Sequence, residues 1–256
     1  MSLSIYHNYF GSSLANRASL QFGQLLRTME QLSSGLRINR ASDGPADLVI
    51  SEQLRSQSAS LNQRIENTTL QIAKYETASG AVGELRSHLT ELRSLAVAAA
   101  NEGGNSESAQ QALATQGQNV VNSYNSQVDS AVFNGAALLD GSEGSLADIT
   151  SLDGIDFSSA SSAENSMARI DEAMAELDAV QTDLGSTQKN ELEASRAAMQ
   201  VTHQNLVAAE SQIRDADIFA TYSSFIGEML QMKMSLALMA HTNLTSNSVL
   251  GLFGSK

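Results

Sequence analysis

The chain has 256 residues, no cysteine, and 28 acidic against 15 basic residues, which gives a net charge of −13 at pH 7. Without cysteine it can form neither disulfides nor thiolate metal sites, and its negative charge disfavours nucleic acid as a partner because phosphates would be repelled. No run of about 20 apolar residues is present, so the sequence predicts no transmembrane helix. The first residues lack a basic region followed by an apolar core, so we expect no Sec-type signal peptide.

The charge is distributed unevenly along the chain. Residues 1–46 carry a net charge of +2, residues 212–256 carry none, and residues 47–211 carry −15. We interpret the acidic middle of the chain as a surface that its charge keeps soluble.

The first predicted helix covers residues 10–36, where apolar residues recur at steps of four and three. The cluster Asp43-Gly44-Pro45 blocks its continuation. Ser42 or Asp43 can then cap a second helix, with Pro45 in the first turn, where a missing N–H costs least. The apolar stripe of the first helix consists of Phe10, Leu14, Ala18, Phe22, Leu25, Met29, Leu32 and Leu36.

The second predicted helix runs from about 45 to 100 and would be roughly 80 Å long, which is too long for a compact globule. Two three-residue steps follow one another in its apolar stripe, the second ending at Ala78, and shift the stripe locally. A third helix follows to about 130, and residues 133–162, rich in glycine, are predicted to form turns and small β-hairpins. A fourth helix occupies about 163–213. Its heptad repeat consists of Leu192, Met199, Leu206 and Ile213.

The final predicted helix starts near Arg214 and again has apolar residues at steps of four and three. Its stripe consists of Ile218, Tyr222, Phe225, Met229, Met232, Leu236 and Met239. The predicted fold class is therefore mainly α, a long antiparallel helical bundle or coiled coil with terminal helical arms and a small β-hairpin region. The predicted domains are an N-terminal arm with its connector (1–44), a central rod (45–213) and a C-terminal arm (214–256).

The two arms have more apolar surface than either can bury alone, so we predict that their stripes are interfaces between subunits. The polar segment 33–51, named the spoke, joins the first arm to the rod. A spoke this charged fits a solvated loop between helices. The alternative for the arms is that they cover the rod of a compact monomeric bundle.

No pattern in the sequence predicts catalysis, a cofactor or a metal site. The four histidines are scattered, and neither H-E-x-x-H nor G-x-x-x-x-G-K-[ST] occurs. Acidic residues on the turns after residue 139 do not have EF-hand spacing, so capping and turn roles are the better interpretation.

Several segments resemble the bacterial flagellins. QLSSGLRINRASDGPADLVISEQLRSQ (31–57) is similar to the family's L-S-S-G-L-R-I-N segment and the helix start that follows it. ELRSLAVAAAN (91–101), FNG (133–135), ESQIRDADIF (210–219) and SVLGLF (248–253) resemble further family segments. The chain departs from the family at Asp47, where glycine is usual, and at Pro45.

The resemblance implies a structural subunit that polymerises into the flagellar filament for swimming motility. In that family the terminal helices form the inner core of the filament and the longer helices its outer wall. The resemblance further implies that the spoke residues contact neighbouring subunits, namely Arg37, Asn39, Arg40 and Asp43. It further implies unfolded export by the flagellar type III apparatus to an extracellular flagellum. The implied partners are further copies of the chain in a helical homopolymer, an export chaperone, hook-associated proteins and cap proteins.

Two other functions are compatible with parts of the sequence. A hook–filament junction protein shares the terminal arms, although the match from ELRSLAVAAAN to FNG favours a flagellin. A secreted signalling or adhesive protein is the second alternative. Members detected by a host innate receptor carry L-Q-R-x-R-E-L, and here Arg93 is kept while Glu91 and Ser94 replace the other arginine and the glutamate.

Overall fold

The computed structural model describes the backbone of residues 9–101 and 104–254, and side chains within 11–101 and 104–242. The α-helices are α1 (Tyr9–Ser34), α2 (Pro45–Ala99), α3 (Glu107–Ser130), α4 (Ala160–Ser186), α5 (Ala194–Arg214) and α6 (Ile218–Gly254). Strands β1 (Val132–Phe133) and β2 (Ala136–Ala137) form one antiparallel pair. The mainly α fold class with a small hairpin is thus confirmed.

The helix starts follow local capping chemistry. Ser106 caps α3 by accepting a hydrogen bond from the Ala109 amide, and Ser159 caps α4 in the same way. Pro45 is the first residue of α2, as predicted. Asp43 does not cap α2, because its carboxylate accepts hydrogen bonds from amides that precede it in the chain.

The chain divides into two compact units. The arm unit comprises the described residues of 1–60 and 203–256, and the body unit comprises those of 61–202. The arm unit therefore holds α1, the spoke, the beginning of α2, the end of α5 and all of α6. The predicted domain boundaries at 44/45 and 213/214 stay predictions.

The body unit has a continuous apolar core in which α2 and α4 run antiparallel. Arg93 of α2 pairs with Asp171 of α4 at 2.8 Å, and Arg86 pairs with Asp178. Arg86 lies seven residues before Arg93, whereas Asp178 lies seven residues after Asp171, so the two helices run in opposite directions. The buried α2 stripe consists of Ala78, Val82, Leu85, Leu89, Leu92, Ala96 and Ala99. Because these residues recur at steps of four and three, one side of a long helix is removed from water along its length.

The segment after α3 turns back at a two-residue β-hairpin. Asn134 and Gly135 both have positive φ, 52° and 80°, as the type I′ turn between β1 and β2 requires. Between β2 and α4 the described residues form no second hairpin, only an isolated antiparallel bridge between Asp140 and Asp148. The buried side chain of Phe157 then packs against Gly117 of α3.

The fourth predicted helix is interrupted by a π-helical segment, Thr187–Glu193, between α4 and α5. Buried Leu177 and Leu184 are seven residues apart, but the next stripe residue, Leu192, follows after eight. A π-helical turn holds one more residue than an α-helical one, so it absorbs the extra position. The heptad repeat resumes at Met199, which is buried.

Within the part of the chain that the structure describes, no helix is long and apolar enough to cross a membrane. The same described residues contain no group of three or more potential metal ligands of the His, Cys, Asp and Glu types.

Candidate assembly surface

Helices α1 and α6 pair antiparallel within the arm unit. The hydroxyl of Thr28 donates to Oε2 of Glu228 at 2.7 Å, and the hydroxyl of Ser235 donates to Oε1 of Gln21, also at 2.7 Å. On α1 the buried leucines Leu14 and Leu25 recur on the same side as these polar contacts. The seam between the two helices therefore mixes apolar packing with hydrogen bonds.

The side of α6 turned towards α1 contains a row of polar residues among half-buried apolar ones. Thr221, Glu228, Ser235 and Thr242 follow one another at intervals of seven residues, and two of them contact α1 directly. The exposed large side chains of α6 are Ile218, Phe219, Tyr222, Leu230, Met234, Leu236 and Leu238. Phe219 is 90% exposed. A water-soluble helix normally points its apolar residues inward, whereas α6 has large apolar residues on its outward side as well as in its seam with α1.

Helix α1 also has a second apolar side that the arm unit leaves open. Its exposed large side chains are Leu20, Phe22, Leu26 and Met29. Leu26 and Met29 line a shallow groove of about 540 Å³, and Arg27, Arg40 and Glu30 also line it. The outward sides of both arms are thus large apolar surfaces in contact with solvent.

The predicted stripe residues fall into three groups. Leu14 and Leu25 are buried in the arm unit. Leu32, Phe225, Met229, Met232 and Met239 are half-buried. Phe22, Met29, Ile218, Tyr222 and Leu236 are exposed. The side chain of Phe10 lies outside the described residues.

The stripe prediction did not include several outward residues, namely Leu20, Leu26, Phe219, Leu230, Met234 and Leu238. A search for one stripe at steps of four and three selects a single side of a helix. The apolar residues outside the selected stripe of α6 were the signal that would have found them, because a helix that is apolar on most sides must be covered on most sides.

The spoke and the α5–α6 connector are held together by backbone hydrogen bonds. The Arg37 amide donates to the Arg214 carbonyl at 2.7 Å, and the Ala216 amide donates to the Gly35 carbonyl at 2.9 Å. Gly35 has φ of 73°, a conformation that residues with a Cβ adopt at a cost. These bonds bring the end of α1 beside the start of α6.

The four predicted spoke residues all make contacts within the chain. Arg37 donates to the Ile213 carbonyl and pairs with Asp47 at 3.3 Å, and Asn39 donates to the Leu36 carbonyl at 3.0 Å. Arg40 pairs with Glu30 at 2.8 Å. Asp43 accepts from the amides of Asn39 and Arg40. Their predicted contacts with neighbouring subunits stay predictions.

Sequence reasoning did not identify Arg214 as the central cation of this junction. Its guanidinium is mostly buried and lies 2.9 Å from Glu52 at the start of α2 and 3.9 Å from Glu210 one turn earlier on α5. The signal in the sequence was a single arginine in the last turn of a helix, four residues after a glutamate. Ile38 completes the junction as its buried apolar residue.

Comparison with known proteins identifies relatives along almost the whole chain. The family described as the bacterial flagellin N-terminal helical region matches residues 5–144, and the bacterial flagellin C-terminal helical region matches residues 167–253. A flagellin of Halalkalibacterium halodurans is 32% identical over 97% of this chain and 98% of its own length. A flagellin of Bacillus subtilis is 28% identical over 98% and 99%, and the flagellar filament core protein flaB2 of Brachyspira hyodysenteriae is 27% identical over 89% and 92%.

Proposed function

Because the chain belongs to the bacterial flagellin family, we propose that the outward faces of α1 and α6 are the surfaces through which its copies bind one another. The chain is a structural subunit that polymerises into the flagellar filament used in motility, and it is not an enzyme. Membership of the family shows that the chain forms filaments, but it does not show which residues form the contacts between subunits.

The observation that carries the proposal is the orientation of α6. Its seam with α1 contains Glu228 and Ser235 together with half-buried apolar residues, while Phe219, Leu230 and Leu238 remain exposed to solvent. Burying one such apolar side chain contributes about 1.5–3 kcal/mol. A helix that still exposes large apolar residues on its outward side after its other side has packed within the chain is suited to contacts with other molecules.

The open geometry of a filament fits two different surfaces on each subunit. When one patch binds an unlike patch on the next copy and the rotation between copies does not close a ring, the repeated contact builds a helical polymer. The outward sides of α1 and α6 supply two such unlike apolar surfaces. We assign the stripe residues of both arms to this interface, including those that are half-buried within the arm unit.

The distribution of charge supports a layered filament. The arm unit contains eight basic and eight acidic residues, whereas the body unit contains seven basic and twenty acidic residues. A neutral apolar unit is suited to a core shared by many copies, and a strongly acidic one is suited to a surface in water. In the proposed arrangement the terminal helices form the inner core and the central helices form the outer wall.

The spoke takes a connecting role in this arrangement. Arg37, Asn39, Arg40 and Asp43 are hydrogen-bonded inside the chain, and Arg37 and Arg40 remain more than half exposed at their side chains. Their remaining donors are available to carboxylates of a neighbouring copy. We keep this contact as part of the proposal.

Before assembly the outward face of α6 needs another cover. Membership of the flagellin family implies export in an unfolded state by the flagellar type III apparatus to an extracellular filament. A cytoplasmic chaperone on the C-terminal helix would cover the apolar face described above. Hook-associated and cap proteins are the further partners that we propose at the ends of the filament.

The test uses adjacent residues on the exposed part of α6. Leu230 is 53% exposed, and the next residue, Gln231, is exposed and already polar. We expect Leu230→Asp to abolish seeded polymerisation, because each subunit interface would contain a desolvated carboxylate at a cost of several kcal/mol. Gln231→Asp adds the same charge one position away and is expected to assemble much more readily.

Sedimentation after seeding, followed by electron microscopy of the pellet, measures assembly. Circular dichroism of both soluble variants checks that the helices and the thermal midpoint match the unmodified chain. Filaments of Leu230→Asp at normal yield would rule out this face as the interface. Loss of helix in the soluble Leu230→Asp variant would instead place Leu230 inside the folded subunit, against the proposal.

A further inference from the structure

Polar contacts between α1 and α6 recur at an interval of seven residues on both helices. Thr28 lies seven residues after Gln21, and their partners Glu228 and Ser235 are also seven residues apart, in the opposite direction. The two hydrogen bonds therefore mark one antiparallel alignment of the helices. The positions between them are filled by Leu25 and, by its spacing, Met232.

We infer that Thr28 and Glu228 are positioning residues that select this alignment of the two arms. Thr28 is buried, and its hydroxyl supplies the hydrogen bond to the Glu228 carboxylate. Among the seam positions whose side chains the structure describes, Glu228 is the only charged residue. The other seam residues are leucine, alanine, glutamine and threonine on α1, and phenylalanine, methionine, threonine and serine on α6.

Apolar packing alone would select the alignment weakly. Unbranched methionine side chains adapt to many neighbours, and leucine recurs along α1 at the heptad interval, so a displaced helix again finds apolar contacts. A displacement of α6 by one helical turn, however, brings Glu228 against a leucine of α1. There the carboxylate loses its donor while remaining partly desolvated, which disfavours the displaced pair. A single polar residue in a helical seam can fix register in this way.

The consequence for assembly rests on the function proposed above. The alignment decides which outward residues of α1 lie beside which outward residues of α6, so it decides the shape of the composite surface. Arms joined in a displaced alignment would present a different surface to the next copy. The alignment itself can be measured on the soluble subunit, so it can be tested without any polymer.

The absence of native cysteine makes a disulfide test direct. One reporter is Gln21→Cys with Ser235→Cys, whose native side chains touch. A second reporter is Gln21→Cys with Met239→Cys, one helical turn further along α6, which forms when Glu228 has moved to face Leu32. Four helical residues span about 6 Å along the axis, and together with the separation of the two helices this exceeds the Cα–Cα range of a disulfide in the observed alignment. Both reporters leave Thr28 and Glu228 unchanged.

Each reporter is then combined with Thr28→Ser or with Thr28→Val. Serine keeps the hydroxyl, whereas valine matches threonine in shape without it. Oxidation of the soluble chain under mild conditions and mass spectrometry give the ratio of native to displaced disulfide. We expect a high ratio with threonine and serine, and a ratio lower by about tenfold with valine.

An equal ratio in the serine and valine variants would overturn the inference and would assign the alignment to apolar packing or to the Gly35–Ala216 backbone connection. A fall of the ratio in both variants would also contradict it, because the hydroxyl would then not be the determinant. Polymerisation of Leu230→Asp decides the proposed function independently, since this ratio is measured before assembly.

Discussion

The arm unit and the body unit bury their apolar residues to very different extents. Among the described residues, 26 of the 29 buried apolar side chains lie in the body unit and three in the arm unit. Of the eighteen exposed large apolar side chains, fourteen lie in the arm unit and four in the body unit. The charge shows the opposite distribution, with −13 in the body unit and none in the arm unit.

The difference indicates that one part of the chain folds on its own core while the other part is suited to assembly. The body unit completes its own hydrophobic core and surrounds it with acidic residues, so it needs no partner to remove its apolar surface from water. The arm unit is held by a half-polar seam and by the junction around Arg214, and its apolar surface remains outside. Substitutions in the two units are therefore expected to affect different measurements.

The largest effect is expected inside the body core. A Cβ placed on Gly117 would overlap the ring of the buried Phe157. We expect Gly117→Ala to lower the free energy of unfolding by about 2 kcal/mol. The overlap with the ring destabilises the fold by more than the higher helix propensity of alanine stabilises it. Urea denaturation followed by circular dichroism measures the change.

The matched control is Gly83→Ala, at an exposed α2 position where an added methyl group meets nothing within 4 Å. There we expect a gain of about 0.5–1 kcal/mol, since alanine loses less backbone entropy in a helix. Equal effects of the two substitutions would show that the contact between Phe157 and α3 is not tightly packed.

A smaller effect is expected at the junction of the arm unit. Arg214 and Arg55 both lie within 3.0 Å of the same oxygen of Glu52, but the Arg214 side chain is 15% exposed and that of Arg55 is 54% exposed. We expect Arg214→Met to weaken the junction by about 1–2 kcal/mol and Arg55→Met by about 0.5 kcal/mol or less.

Hydrogen exchange of the Arg37 and Ala216 amides reports this junction, because both amides donate across it. Exchange about tenfold faster in Arg214→Met than in Arg55→Met is the expected result. Indistinguishable rates would mean that the backbone bridge, rather than the guanidinium, holds the spoke to the α5–α6 connector.

The smallest effect is expected from the titration of a buried tyrosine in the body unit. Burial, with the nearby Glu176 carboxylate as the lesser cause, raises the pKa of Tyr124 from 10.0 to about 12. A raised pKa stabilises the fold below the unfolded value, and this stability is lost as pH rises from about 10 towards 12. At pH 11 we expect the loss to be about 1 kcal/mol.

Tyr124→Phe should remove this part of the alkaline loss, measured as the change in urea midpoint between pH 9 and pH 11. Tyr222→Phe, in which an exposed ring of the arm unit is changed, serves as the control. If both variants lose stability as the unmodified chain does, Tyr124 is not the group that links alkaline pH to unfolding of the body unit.

The sequence by itself determined the helices, their order and the small hairpin. Helical periodicity is a local property, so the bounds of α1 and α2 were predicted to within two residues, and the Asn-Gly pair specified its turn through its own backbone preferences. Family motifs along the chain indicated the filament subunit. The interval of eight residues from Leu184 to Leu192, one more than a heptad, is also visible in the sequence, but the predicted heptad repeat began only at Leu192.

Only the tertiary structure decided which side of α6 faces α1. Its predicted stripe separates into Phe225, Met232 and Met239, which are half-buried, and Tyr222 and Leu236, which are exposed, while Glu228 lies inside the seam. Periodicity reports that a helix has apolar sides, but not which of them a distant segment covers.

The same limit applies to the spoke. Arg37 hydrogen-bonds a carbonyl 176 residues away, and Thr28 bonds a carboxylate 200 residues away. Partners this far apart in sequence depend on the tertiary fold, because a buried polar group must hydrogen-bond with whichever donor or acceptor the fold places beside it.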